Sequence, residues 1–272
     1  MATFLLILII VAEIINIATY QYYRYLIGGR AQLRVIKKAK PGSKMTYLCP
    51  GMLMRSRDAF NFLIEKEGII KGGITLVEYN QTGFNPRAIA KQISEDADEL
   101  NYKLIAIGIS VGDQIIRVLD EKPDEAGRHT LISINPCDGR SFLQKRWKTT
   151  FSILLPIAMV FSFVIGWVAN FRLILGESPS SFFSLSLVLD QLKSIGLSDK
   201  NAGKIACDTD TECVVLSRRD EFVYNQKVLE NYTLLNELNK IFVNSYHSDT
   251  VDSGDMYLAE MSKQLEEIYS YS

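Results

Sequence analysis

Histidine and cysteine are scarce in this chain, and their scarcity limits the sites it can build. The 272 residues contain 2 histidines and 4 cysteines, with no Cys-x-x-Cys pair among the cysteines. That spacing is typical of zinc and redox motifs, so we predict neither a metal site nor a cofactor. We expect four free thiols, because Cys207 and Cys213 would form a disulfide only in an exported domain. The other two cysteines are Cys49 and Cys137.

An excess of charge of either sign is also absent. Lysine and arginine number 30 and aspartate and glutamate number 31, which gives a formal net charge of −1. Nucleic-acid-binding domains usually carry clustered basic residues and a high pI, so the composition gives no support for a nucleic-acid partner. The length allows one large domain or two smaller ones.

A long apolar run occupies residues 3–20, where Glu13 is the only charged side chain. With the tyrosines that follow, the run reaches the roughly 20 residues that span a bilayer, and tyrosines are typical of the membrane interface. We therefore predict a membrane anchor over residues 1–27. A cleaved signal peptide and a buried core helix are the alternatives, but a basic n-region and a clear cleavage site are lacking.

Basic residues follow this run, whereas only Met1 and Ala2 precede it. The positive-inside rule places the basic side, and with it the bulk of the chain, in the cytoplasm. Residues 28–43 also contain Gly28-Gly29 and Pro41-Gly42, so we predict a basic linker there. Its positive charges are Arg30, Arg34, Lys37, Lys38 and Lys40.

Short apolar strands alternate with helical segments after the linker. This alternation predicts an α/β fold with a mostly parallel sheet and helices on both faces. The predicted strands lie at 45–48, 74–79, 102–107, 130–134, 213–217 and 241–243. The predicted helices lie at 58–67, 85–100, 113–119, 225–231 and 252–269.

One motif carries chemistry, the Gly-x-Ser-x-Gly sequence GISVG at 108–112. An apolar strand precedes it and a helix-like segment follows it, which is the context of a nucleophile elbow. In such a turn the serine is strained and its hydroxyl projects above the sheet, while Gly108 and Gly112 leave room for it. We predict Ser110 to be a nucleophile; an ordinary turn after a strand is the alternative.

A serine hydroxyl needs a base, and the base needs an acid that orients it. In this arrangement the acid and then the histidine follow the serine, each just beyond a strand. His247 follows the last strand and is the predicted base, whereas His129 precedes a strand and is predicted to be structural. Asp220 is the predicted acid, with Glu221 as its rival. The adjacent Arg218 and Arg219 would favour an ionised carboxylate there.

Two backbone N–H groups complete the predicted site as an oxyanion hole. One is that of Val111, directly after the nucleophile, and the other comes from the loop after an early strand. Cys49-Pro50-Gly51-Met52 occupies that loop, so Met52 is the predicted second donor. A simple Pro-Gly turn is the alternative.

A second apolar run at 151–169 is long enough to span a membrane. A span there would place Ser110 and His247 on opposite sides of the bilayer, so that they could not share a site. We therefore predict a helical cap insertion over about 140–200, partly embedded in the bilayer or covering an acyl pocket. A core helix and a true second span are the alternatives.

These motifs together resemble the α/β-hydrolase superfamily over roughly residues 44–270. The resemblance rests on PGM at 50–52, GISVG at 108–112, SRRDEF at 217–222 and SYHSD at 245–249. It implies a hydrolase domain over 44–272 with an inserted cap, and esterase, lipase, thioesterase or related acyl chemistry. Many members have His-Gly where this chain has Pro50-Gly51, which leaves the subfamily open.

The sequence thus predicts a membrane-anchored serine hydrolase with a Ser110–Asp220–His247 triad. The apolar cap and the anchor favour an ester or thioester with a hydrophobic acyl group, including a lipid-derived one, as the substrate. Acyl transfer to an acceptor other than water would use the same residues. The alternative outside the enzymes is a noncatalytic membrane protein with two membrane spans. The oligomeric state is left open.

Overall fold

The computed structural model describes most of the predicted sheet and the helices that precede and follow its central strands. The described residues are 31–52, 54, 72–79, 84–119, 129–137, 143–150, 212–231 and 240–247, with further positions between 3 and 18 and at 152, 153, 191 and 195. The helices predicted at 58–67 and 252–269 lie outside them, as does most of the predicted cap.

A seven-stranded sheet forms the centre of the fold, in the order β1-β3-β2-β4-β5-β6-β7. Strand β1 runs antiparallel to β3, and all other neighbours are parallel. Parallel strands place their carboxyl ends at one edge of the sheet, and ligands bind at that edge in open α/β folds. The strands are β1 (Ala31–Lys37), β2 (Lys44–Cys49), β3 (Gly73–Tyr79), β4 (Lys103–Ile109), β5 (Thr130–Ile134), β6 (Glu212–Ser217) and β7 (Lys240–Val243).

The described helices that pack against one face of this sheet include α1 (Pro86–Glu99), α2 (Asp113–Leu119) and α3 (Asn225–Asn231). Helix α1 begins as predicted, because the Asn85 side chain accepts a hydrogen bond from the Ala88 N–H at 3.3 Å and Pro86 occupies the first turn. Its buried residues are Ile89, Ala90, Ile93 and Ala97, which recur at helical spacing.

Both faces of the sheet are apolar and buried. Tyr47, Ala106 and Val214 belong to the cluster that includes residues of the three helices, whereas Leu48, Ile107 and Val215 belong to a second cluster on the opposite face. Alternate residues of β2, β4 and β6 therefore point to opposite sides, as the near-continuous apolar strands predict for a doubly covered sheet.

Strand β1 corrects the predicted linker over residues 28–43. Seven of those residues form the strand and six of them pair with β3, with Leu33 opposite Val77 and Arg34 opposite Leu76. Leu33 is partly buried against the core, and Arg34 forms an ion pair with Glu78 at 3.4 Å on the exposed side. An antiparallel edge strand needs only one apolar face, so its other face can carry basic residues. These charges made the strand resemble a linker in the sequence.

The predicted transmembrane helix lies largely outside the described residues. The described positions between 3 and 18 are helical. Within the part of the chain that the structure describes, no helix is long and apolar enough to cross a bilayer. The second apolar run, 151–169, is described only at positions 152 and 153.

Candidate active site

The elbow lies between β4 and α2, where Ser110 has a φ of 53°. This left-handed conformation is strained for a residue with a side chain, and such strain is typical of functional sites. Close packing explains the two glycines. A Cβ on Gly108 would lie 2.7 Å from the Cα of Asp113, and one on Gly112 would lie 2.1 Å from the Cys49 carbonyl oxygen. Both positions therefore require glycine.

Three predicted residues meet at the carboxyl edge of the sheet. The Ser110 Oγ lies 3.0 Å from His247 Nε2, and His247 Nδ1 lies 2.7 Å from Asp220 Oδ2. The side chains of His247 and Asp220 are 11% and 1% exposed, so water competes little for their contact. A serine, an imidazole and a carboxylate in this order can pass a proton from the hydroxyl to the ring.

Backbone hydrogen bonds hold the Asp220 carboxylate in place. Its Oδ1 accepts the N–H groups of Phe222 at 2.8 Å and Val223 at 2.6 Å, which leaves Oδ2 for His247. The two flanking arginines contact aromatic rings: the Arg218 guanidinium lies over the Phe242 ring and that of Arg219 over the Tyr246 ring. The two amides therefore fix the orientation of the carboxylate toward His247.

Glu221, the rival acid, has another position. Its Oε2 accepts the backbone N–H of His247 at 2.7 Å, and its carbonyl oxygen accepts the indole N–H of Trp147 at 2.7 Å. Glu221 thus binds the main chain of the histidine, while Asp220 binds the ring. The side chain of Glu221 fixes where the His247 loop lies, a role that charge and sequence order do not predict.

The predicted oxyanion turn lies beside the elbow. A Cβ on Gly51 would lie 3.1 Å from both the Ser110 Cβ and the Ile109 carbonyl oxygen, so the turn and the serine are in close contact. The Met54 N–H donates to the Gly51 carbonyl at 3.3 Å. The Met52 N–H, which shares a peptide group with that carbonyl, points the opposite way and makes no hydrogen bond to any described residue. Val111 lies in the first turn after β4, where N–H groups have no partner within the helix.

Comparison with solved structures identifies the architecture that holds these residues. No protein-family model and no curated protein matches the sequence. A hydrolase from Oleispira antarctica superposes with a TM-score of 0.60 at 14% identity, covering 90% of this chain and 96% of that one. A monoacylglycerol lipase from Paleococcus ferrophilus gives 0.57 at 17% identity, covering 89% and 100%. An esterase from Exiguobacterium antarcticum gives 0.55 at 14% identity, covering 87% and 96%.

The chain has the α/β-hydrolase fold. In that fold the nucleophile, acid and base follow separate strands along one edge of the sheet, in the order found here for Ser110, Asp220 and His247. His129 precedes β5 and is buried at the other edge, as expected for a structural residue. The roles of the three site residues and of the Met52 and Val111 amides stay predictions that rest on this geometry.

A buried polar network underlies the site of this α/β-hydrolase fold, and the sequence analysis missed it. Asn135, directly after β5, donates through its Nδ2 to Ser217 Oγ at 2.8 Å and accepts the Ser217 N–H through Oδ1 at 2.7 Å. The Ser245 hydroxyl donates to Ser217 Oγ at 3.2 Å. A polar residue directly after a buried strand at the active edge was the available signal.

Cys49, which directly precedes the oxyanion turn residues Pro50 and Gly51, is a buried thiol. Burial, and then the negative charge of Asp113, raises the pKa of the Cys49 thiol far above its ordinary value, so this thiol next to the oxyanion turn stays protonated. Cys49, Cys137 and Cys213 are free thiols, whereas Cys207, the fourth thiol predicted to be free, lies outside the described residues. Among the described residues, no group of three or more histidine, cysteine or carboxylate side chains could hold a metal ion.

Proposed function

We propose that this protein is a serine hydrolase that cleaves carboxylic esters or thioesters. The observation that carries the proposal is the chain of contacts from Ser110 Oγ to His247 Nε2 at 3.0 Å and from His247 Nδ1 to Asp220 Oδ2 at 2.7 Å. It occurs at a strained serine on a fold that many hydrolases share. The names of the similar structures, which include a lipase and an esterase, agree with this chemistry.

In the proposed mechanism Ser110 Oγ attacks the acyl carbonyl carbon as its proton moves to His247 Nε2. Asp220 accepts a hydrogen bond from the Nδ1–H of the ring and stabilises the imidazolium that forms. The negative oxygen of the tetrahedral intermediate binds the N–H groups of Val111 and Met52. The intermediate collapses, and the leaving alcohol or thiol takes the proton from His247. Water then attacks the acyl-enzyme by the same steps and releases the acid.

Labelling with a fluorophosphonate probe tests the nucleophile. The probe forms a covalent bond with an activated serine, so we expect the wild type to be labelled and Ser110→Ala to be unlabelled. Ser43→Ala is the matched control, because Ser43 precedes β2 at the opposite edge of the sheet and its hydroxyl donates to the Lys40 carbonyl. Equal labelling of wild type and Ser110→Ala would refute the proposal.

We further propose that the acyl group is hydrophobic. Aromatic side chains next to the base support this, since Phe222 packs edge-on against His247 with ring centroids 5.4 Å apart. Trp147, near the start of the predicted cap, packs against Phe222 with ring centroids 4.8 Å apart and extends this apolar surface. Burial of each additional CH₂ group contributes about 0.8 kcal/mol, so longer acyl chains should be preferred.

A series of p-nitrophenyl esters from acetate to palmitate measures this preference directly. We expect kcat/KM to rise with chain length from acetate to at least octanoate in the wild type. Ser110→Ala gives the background at each length. Turnover confined to acetate would contradict the hydrophobic substrate while leaving the serine mechanism intact.

We also propose that residues 1–27 attach the protein to the cytoplasmic face of a membrane as a single-pass anchor. The described large apolar side chains of this segment are 46% to 68% exposed, which is unfavourable in water and favourable in lipid. Because β1 begins at Ala31, only residues 28–30 separate the proposed anchor from the sheet. The active edge would then stay close to the bilayer. The exposed side chains are Phe4, Ile7, Ile10, Val11, Ile14 and Ile15.

Membrane fractionation tests the anchor. We expect the full chain to stay in the membrane pellet after extraction at pH 11 and to be digested by protease only in inside-out vesicles. Release by alkaline extraction would refute the anchor. Digestion in right-side-out vesicles would refute the orientation.

A further inference from the structure

The hydroxyl group of Tyr79 contacts the main chain of the oxyanion turn. Tyr79 is the last residue of β3, and β3 pairs with β2, which leads into Cys49-Pro50-Gly51-Met52. The Tyr79 hydroxyl donates to the Pro50 carbonyl oxygen at 2.7 Å. The contact is between residues 29 positions apart, so it ties the turn to a neighbouring strand.

The Pro50 carbonyl is also packed against the elbow. A Cβ on Gly112 would lie 2.8 Å from that oxygen, so the glycine backbone is in close contact with it. The carbonyl therefore lies between the tyrosine hydroxyl and the turn that carries Ser110. A rotation of the Pro50–Gly51 peptide plane would change both the contact with Gly112 and the direction of the next peptide.

The next peptide carries the proposed oxyanion donor. Each peptide group is planar, so holding the Pro50 carbonyl fixes the plane that ends at the Gly51 Cα. The next peptide group joins Gly51 to Met52. Its carbonyl accepts the Met54 N–H at 3.3 Å, which fixes the plane of this peptide, so the Met52 N–H points away from Met54. The two hydrogen bonds thus orient two consecutive peptides. Gly51 has no side chain to restrict the torsion between them, so the turn depends on such contacts.

We propose that Tyr79 is a positioning residue that orients the oxyanion turn, so that the Met52 N–H points at the negative oxygen formed on the substrate. This inference rests on the proposed hydrolase function and extends it to a residue outside the triad. Tyr79 acts through the Pro50 carbonyl, to which its hydroxyl donates.

The surroundings of Tyr79 suit a fixed donor. Its ring packs edge-on against the buried Phe84, with centroids 5.4 Å apart, which limits rotation of the ring. Burial raises the pKa of the Tyr79 hydroxyl well above its ordinary value, so it keeps the proton that it donates. A fixed donor lowers the reorganisation needed when charge develops on the substrate.

The test compares two Tyr→Phe variants, each of which deletes one phenolic hydroxyl. Tyr79→Phe removes the bond to Pro50. Tyr47→Phe removes a comparable bond, from Tyr47 to Asp96 Oδ2 at 2.6 Å, between β2 and α1. Both variants lose a hydrogen bond of the core, so a purely structural role would affect them alike. Thermal unfolding of both verifies that they are folded under the assay conditions.

Two measurements report on the oxyanion. The first is kcat and KM for a p-nitrophenyl ester, and the second is the dissociation constant of a trifluoromethyl ketone, which forms a tetrahedral adduct with an activated serine. We expect Tyr79→Phe to lower kcat by roughly 10-fold to 100-fold with little change in KM, less than the loss of a whole donor. The ketone should bind more weakly by a similar factor. Tyr47→Phe should change neither quantity by more than about 2-fold.

The possible failures can be told apart. If the wild type is active and Tyr79→Phe has the same kcat, only the role of Tyr79 is overturned. The same holds if Tyr79→Phe and Tyr47→Phe lose kcat equally. A wild type that neither hydrolyses the ester nor binds the ketone overturns the proposed function and the role of Tyr79 with it. If Tyr79→Phe is less stable, ketone affinity measured below its unfolding temperature still decides the matter, because only the folded protein binds.

Discussion

Asp220 and His247 are joined by a contact of 2.7 Å between Oδ2 and Nδ1, and the loops that carry them are also joined through their main chains. The Arg218 N–H donates to the Val243 carbonyl at 2.8 Å, and the Arg219 N–H donates to the Ser245 carbonyl at 3.1 Å. The acid turn and the histidine loop therefore form one hydrogen-bonded unit at the ends of β6 and β7. This unit sets the ring orientation before any substrate binds.

Asp220→Asn is expected to lower kcat/KM for ester hydrolysis by roughly 10³-fold to 10⁴-fold. Two backbone N–H groups bind Oδ1, so the amide oxygen will occupy that position and the NH₂ group will face His247 Nδ1. Nδ1 must then accept a hydrogen bond, so the single ring proton lies on Nε2. A protonated Nε2 cannot take the proton of the Ser110 hydroxyl. Steady-state kinetics of the purified variant measure the loss.

Glu221→Gln is the matched control for this substitution. It also replaces a carboxylate by an amide, but its remaining oxygen can still accept the His247 N–H. We expect a change in kcat/KM of less than about 10-fold. Equal losses in the two variants would mean that the assignment of the acid is wrong.

Gly112→Ala is expected to destabilise the fold by about 3 kcal/mol or more, because its Cβ would lie 2.1 Å from the Cys49 carbonyl oxygen. Backbone atoms cannot move aside as a flexible side chain can. Gly42→Ala is the control: Gly42 has a φ of +79° but nothing within 4 Å of the added Cβ, so strain alone should cost about 1 kcal/mol. Urea unfolding measures both free energies, and a smaller loss at Gly112 would contradict the close packing.

Local sequence patterns predicted six of the seven strands, the elbow and the order of the site residues. Ser110, Asp220 and His247 each follow a buried apolar strand, so their chain positions alone place them at one edge of a parallel sheet. Asn85 and Pro86 likewise predicted the start of α1, because helix capping is an interaction between residues close in sequence. These features need no knowledge of distant contacts.

Features that depend on distant partners could not be predicted in this way. The sequence predicts a linker where β1 lies because its partner β3 is 37 to 48 positions away and its outer face is charged. The Asn135–Ser217 pair is separated by 82 positions, and the Tyr79–Pro50 contact by 29. The hydrophobic periodicity of a single segment cannot predict such a pair, because the two residues meet only once the sheet has formed.

Asn135→Ala is expected to lower the free energy of unfolding by about 3 to 4 kcal/mol. The change removes two buried hydrogen bonds with Ser217 and puts alanine at a φ of 46°, which costs about 1 kcal/mol. Asn101→Ala isolates the backbone term, because the exposed Asn101 has a φ of 51°. Urea unfolding of both variants should give a loss of about 1 kcal/mol for Asn101→Ala. Equal losses would show that the network contributes nothing.

Cys213 should make the fold less stable at alkaline pH. Burial raises the pKa of its thiol to about 12, above the roughly 8.5 of an unfolded cysteine. The native state therefore keeps this proton over a pH range in which the unfolded state loses it. The stabilisation is fully present below pH 8.5 and is lost as pH rises toward 12, with a slope of up to about 1.4 kcal/mol per pH unit.

A comparison of wild type with Cys213→Ala isolates this effect from the lysines and tyrosines that titrate in the same range. We expect the free energy of unfolding, measured in urea from pH 7 to pH 10.5, to fall more steeply in the wild type. Iodoacetamide at pH 8 should also modify Cys213 at least about 100-fold more slowly in the native protein than in urea, because the thiolate is the reactive form. Parallel curves for the two proteins, together with rapid native alkylation, would show that this thiol ionises normally in the folded state.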